Sequence, residues 1–192
     1  MSGRQTIAVI SGSVQRPSRT SALVAEIASA IATRGDYAFD RIELIEAAPH
    51  LFSALHPREL KGEARRIVDT VERADLLVVG TPVYRASMTG ALKHLFDLVD
   101  HRAFPGKPVV LAATGGTLMH GLVTEHQLRP LFGFLNALTL PTTVYAVEPD
   151  FDGYTLASAK VRERVARAAE EAAGHLRLLA LEAASAREQS HA

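Results

Sequence analysis

The stretch Asp75-Leu76-Leu77-Val78-Val79-Gly80-Thr81 constrains this chain more than any other. Its apolar residues run on without the in–out alternation of a half-exposed strand. Such a run suits a strand covered on both faces, as in a parallel sheet flanked by helices. The segments around it repeat the theme. Thr6-Ile7-Ala8-Val9-Ile10 reads as a buried strand closed by Ser11-Gly12-Ser13. Ser18 to Ala32 reads as a helix, with Leu23, Ile27 and Ile31 four apart on one face. Phe39 to Ile45 makes a second strand, and Ala47 to Lys61 a loop broken by Pro49 and Pro57. Gly62 to Arg73 and Gly90 to Val99 are helical. Pro108 to Ala113 is a fourth strand and Thr139 to Val147 a fifth. Leu122 to Leu135 is helical despite Pro130, and Leu156 to about Ala184 forms a long C-terminal helix. Five β-α repeats predict an α/β fold: a doubly wound, five-stranded parallel sheet with helices on both faces. The 192 residues fit one domain spanning 1–192.

Composition removes several classes of function. Lys plus Arg and Asp plus Glu both number 21, so the formal charge is zero. Nucleic-acid binders show a basic excess, and charge-steered electron carriers need a strong field of one sign. Cysteine is absent, which excludes disulfides, cysteine nucleophiles and thiolate metal sites. The opening residues Met1 to Gln5 show no targeting pattern, and no apolar stretch reaches the roughly 20 residues that span a bilayer. A cytoplasmic address fits, with no membrane partner.

In doubly wound folds ligands sit at the carboxyl ends of the strands. Three loops there have unusual composition. The first, Ser11 to Ser21, holds five hydroxyl side chains and two arginines and opens a helix. Helix-start N–H groups, hydroxyls and arginine together suit a phosphate. The other reading is a polar loop with an ordinary capped helix. Neither the P-loop pattern nor G-x-G-x-x-G is present. The second, Thr81 to Gly90, sets Pro82 and Tyr84 at a strand end. Tyr84 either lies against a planar ligand ring or packs as core. The third, Thr114-Gly115-Gly116-Thr117, either lets backbone approach a ligand or is a plain turn.

These segments resemble the flavodoxin-like NAD(P)H-dependent FMN reductase family. The likeness is carried by strand-Ser11-Gly12-Ser13 with Pro17-Ser18-Arg19-Thr20-Ser21, by Thr81-Pro82-Val83-Tyr84 with Gly90-Ala91-Leu92-Lys93, and by Ala113-Thr114-Gly115-Gly116. It runs from about Ile7 to Tyr145. Within that family the chain looks most like the reductase components of alkanesulfonate and methanesulfonate two-component systems. The resemblance implies reduction of FMN by NAD(P)H and delivery of reduced flavin to a partner monooxygenase. It implies that Ser11, Ser13, Ser18, Arg19, Thr20 and Ser21 hold the FMN phosphate. Pro82, Val83, Tyr84 and Arg85 would line the flavin, and Thr114, Gly115 and Gly116 would approach its pyrimidine edge. It implies a homodimer or homotetramer. It also places one extra residue, His126, in the helix from Thr117 to Pro130, making a π-bulge at a subunit contact. His126 could equally be a contact residue with no chemical role. The related alternative is a quinone or azo reductase that retains FMN.

Other chemistry finds little support. His94 and His101 are seven apart and His120 and His126 six apart, so neither pair has the i, i+4 spacing of helical metal ligands. The G-x-S-x-G nucleophile turn is absent. His94 and Asp97 read as a surface ion pair, and Arg162 to Arg177 as a solvated helix face. No catalytic acid or base is assigned, since flavin chemistry belongs to the cofactor.

Overall fold

A computed structural model describes residues 4–190. Strand β1 (Thr6–Ser11) sits between β2 (Ala38–Glu43) and β3 (Leu76–Pro82), and β4 (Pro108–Gly115) follows β3. The fifth position is shared by β5 (Leu138–Thr139) and β6 (Val144–Val147), both parallel to β4. The order β2-β1-β3-β4-β5 is the flavodoxin-like one.

The apolar runs work as anticipated. Ile7 and Val9 of β1, with Leu76 and Val78 of β3, face one core; Ala8, Ile10, Leu77 and Val79 face the other. Period-two geometry sends neighbours to opposite faces, so a strand covered twice must be apolar throughout. Helices α1 (Arg19–Ala32) and α6 (Ala159–Ser190) cover the first face through Leu23, Val24, Ile27, Val165, Ala168 and Ala172. Helices α3 (Gly62–Arg73), α4 (Gly90–Leu98) and α5 (Arg129–Phe134) cover the other through Val68, Val71, Leu92, Phe96 and Phe132.

Four local expectations are corrected. The loop expected from Ala47 begins instead as helix α2 (Leu44–Leu51) with Pro49 inside it. Pro49 forfeits one backbone bond near the helix end, and burial of Leu44, Ala47 and Leu51 outweighs that loss. The fifth strand is interrupted at Leu140 to Thr143, where Pro141 offers no N–H to the ladder. Leu156 belongs to a hairpin of β7 (Phe151–Asp152) and β8 (Thr155–Leu156), so the last helix starts only after Ser158. His94 is no partner of Asp97, which pairs with Lys93. The His94 ring stacks on Phe52 at 4.4 Å, with Nε2 3.1 Å and 3.0 Å from the carbonyls of Leu51 and Ala54. The run Arg162 to Arg177 does present a solvated face, though two of its charges also reach back to the sheet. Arg164 donates to the Thr143 carbonyl at 2.8 Å, and Glu171 accepts from the Thr142 N–H and hydroxyl.

Candidate active site at the carboxyl edge of the sheet

The three loops meet where β1, β3 and β4 end, and they are bonded to one another. Gly12 N–H donates to the Gly80 carbonyl at 2.7 Å, and Val83 N–H donates to the Thr114 carbonyl at 2.8 Å. The buried hydroxyls of Thr20 and Thr114 lie 2.6 Å apart, joining the first turn of α1 to the end of β4. Thr89 caps α4 by accepting from Leu92 N–H, and its hydroxyl donates to the Gly12 carbonyl at 2.8 Å. Each loop is thus braced before any ligand arrives, the condition for a preorganised site.

A cleft of about 250 Å³ opens on this edge, lined by Ser13, Ser18, Arg19, Thr20, Pro82, Val83, Tyr84, Thr114, Gly115 and Gly116 of the anticipated set. At its α1 end, the Ser18 hydroxyl accepts from Ser21 N–H at 3.2 Å. The N–H groups of Arg19 and Thr20 occupy the first helical turn, where no intrahelical acceptor exists. With the Ser13 and Ser18 hydroxyls they form a donor set suited to a phosphate. Pro82, Val83 and the half-exposed Tyr84 supply a flatter, more apolar wall.

Three anticipated residues lie off the cleft. The Ser11 and Ser21 hydroxyls share a 2.8 Å bond, and Ser21 donates to Glu43 at 2.7 Å. Ser11 is fully buried there, bracing the loop from beneath. Arg85 sits at the exposed tip of a tight turn closed by paired bonds between Tyr84 and Ser87. Arg85 and Ala86 both carry positive φ, 50° and 63°, in the left-handed region that side chains disfavour. That cost falls on the turn presenting Tyr84.

Gly115 has a different reason from the one its position suggests. A Cβ there would stand 2.1 Å from the Tyr145 hydroxyl. Tyr145 donates to the Thr117 carbonyl at 2.6 Å, and burial raises its pKa. Gly116 has nothing within 4 Å of such a Cβ and faces the cleft.

Gln15 and Pro17 of the first loop also line the cleft, though neither was assigned a role, and Val147, Glu148 and Tyr154 went unseen in the sequence. Glu148 and Tyr154 come from the segment after β6, the remaining strand end on this edge, which is the signal that could have found them. Arg19 Nη2 donates to Glu148 at 2.6 Å, its Nε donates to the Gly153 carbonyl at 3.3 Å, and its guanidinium lies 5.4 Å from the Tyr154 ring centre.

His126 lies in a π-helical segment, Thr124–Leu128, in which Arg129 N–H donates to the Thr124 carbonyl five residues back. The segment is pinned inside by Arg129, which donates to Glu125 at 2.6 Å and to the Thr139 hydroxyl at 2.7 Å. That ion pair lowers the Glu125 pKa. Ser87 donates to Gln127 at 3.0 Å, linking the second loop to this segment. His126 itself is exposed, beside exposed Met119 and Leu122. Among the described residues no helix is long and apolar enough to cross a membrane.

Known proteins share this chain's pattern. The model of the NADPH-dependent FMN reductase family matches residues 5–152. An NADH-dependent FMN reductase, SfnE of Pseudomonas putida, is 48% identical over 172 residues, 90% of this chain and 92% of that protein. An NADPH FMN reductase of Pseudomonas aeruginosa is 46% identical over 171 residues, 87% and 90% of the two chains. The solved structure of an oxidoreductase from Corynebacterium diphtheriae superposes with a TM-score of 0.80 at 37% identity, covering 89% of this chain and 96% of that one. The match covers the three loops that follow β1, β3 and β4 and reaches Glu148, and the chain is an oxidoreductase of the NADPH-dependent FMN reductase family.

Proposed function

We propose that this enzyme reduces exchangeable FMN with NAD(P)H and passes the reduced flavin to a separate monooxygenase of sulfonate metabolism in the cytoplasm. The observation that carries the flavin site is the convergence of a helix-start donor set and an apolar wall in one open cleft. The resemblance to sulfonate-system reductases supports the downstream role, and relatives named for NADH-dependent and NADPH-dependent FMN reduction support the reaction itself.

The residues divide the work. Ser13, Ser18 and Thr20, with the first-turn N–H groups of α1, would hold the phosphate. Pro82, Val83 and Tyr84 would set the plane of the ring and exclude water from one side. The backbone at Gly115 and Gly116 would face the pyrimidine edge and favour negative charge there. Arg85, at the exposed tip beside the cleft, would meet the phosphates of the nicotinamide dinucleotide. Bound FMN supplies the redox chemistry, taking a hydride from the nicotinamide. No protein acid or base need act.

The deciding experiment is steady-state oxidation of NADH and of NADPH, with and without added FMN. Colourless purified protein that turns over only with added FMN is the expected outcome. Stoichiometric FMN on the purified protein would instead favour the quinone or azo reductase reading. The same reading includes a homodimer or homotetramer packed through the face carrying Met119, Leu122 and His126. Replacing His126→Ala should shift the mass measured by light scattering, or the FMN retained on a desalting column. Wild-type behaviour in both removes the π segment from that role.

A further inference from the structure

Arg19 is the cationic side chain lining the phosphate end of the cleft, yet its guanidinium is already engaged. Every partner comes from one distant segment: the carboxylate of Glu148, the carbonyl of Gly153 and the ring of Tyr154. Glu148 opens the short helical turn after β6, which continues through Pro149 and is tied by Asp150, which accepts from Val147 N–H at 2.8 Å. The carboxylate is therefore carried on a braced element and lines the same cleft as Ser18. It is the wrong charge for a site that only had to grip an anion.

We infer that Glu148 is a built-in competitor for the phosphate, holding Arg19 by the bond that the ligand's phosphate would otherwise take and so keeping FMN exchangeable. This rests on the proposed seat of the FMN phosphate at the start of α1. An arginine that must divide its donors between a carboxylate and a phosphate binds each more weakly than either alone. The like charges of carboxylate and phosphate add to that penalty. Glu148 is a positioning residue here, acting through Arg19 and not on the flavin ring. A reductase that hands its flavin onward gains from such weakening; one that keeps its flavin would lose by it.

The test is flavin fluorescence titration of the wild-type enzyme and Glu148→Gln with FMN and with riboflavin, which has the ring and no phosphate. Glu148→Gln should tighten FMN by about twofold to fivefold, the range expected for an exposed charge pair, and leave riboflavin unchanged. In an Arg19→Met background the gain from Glu148→Gln should shrink to the smaller part that direct repulsion leaves. Unchanged or weaker FMN binding in Glu148→Gln overturns the inference. So does equal tightening of riboflavin, or a gain undiminished without Arg19. A wild-type enzyme that neither binds nor reduces FMN overturns the functional reading beneath it, and is told apart by that first titration.

Discussion

Lys107 shows how much one side chain can hold at the end of the sheet opposite the cleft. It is nearly fully buried, and its ammonium donates to the carbonyls of Val71 and Glu72 at 3.1 Å and 2.7 Å, closing the C-terminal end of α3. Burial pushes its pKa down to about 8 from 10.5, against the pull of Asp75 and Glu72. The folded chain thus releases this proton at lower pH than the unfolded chain. Between about pH 8 and 10.5 the unfolded state binds more protons, so stability rises with pH through that window. The gain is on the order of 2 kcal/mol, part of what the shift corresponds to. Thermal melts of wild type and Lys107→Met from pH 7 to 10 check it: the wild-type melting temperature should climb relative to the variant. Parallel curves would count against it. Ser18 is the complementary case, a residue whose capping role was legible from type and position alone. Lys107 was not legible, because a lysine before a strand looks like any surface lysine until the helix it closes is known.

At the scale of elements, helix α1 lies close against β3 at Gly80. A Cβ on Gly80 would stand 2.3 Å from Val24 Cγ1 and 3.3 Å from Thr20 Cγ2. Since Thr20 bonds Thr114, pushing α1 outward would pull on the floor of the cleft as well. Gly80→Ala should cost about 1–3 kcal/mol in urea unfolding, and adding Val24→Ala should recover much of it. An unshifted urea midpoint in Gly80→Ala would refute the packing argument. Strands β1, β3 and β4 were readable because uninterrupted apolar runs have few other uses. Helix α2 was hidden by Pro49, whose local cost is visible in sequence while the burial that outweighs it is not. The hairpin Phe151–Leu156 was hidden by its size, two residues a side. The proposed seat for a phosphate was open to reading because its donors are local to one loop. Glu148 and Tyr154 were not, since they reach Arg19 across more than a hundred residues of chain.

For the molecule as a whole, zero formal charge describes no part of the surface in particular. The helix-start donors and Arg19 gather positive potential at the cleft, and Glu148 tempers it there. The interrupted fifth strand has a consequence of another kind. An outer strand normally offers a row of unpaired backbone groups on which another sheet can grow. Here that border is two short pieces separated by Pro141, so no continuous row exists to template a neighbour. The opposite border, β2, turns the charged side chains of Asp40 and Arg41 to solvent. Copies of this chain are thereby steered away from joining sheet to sheet, the route that leads to fibres.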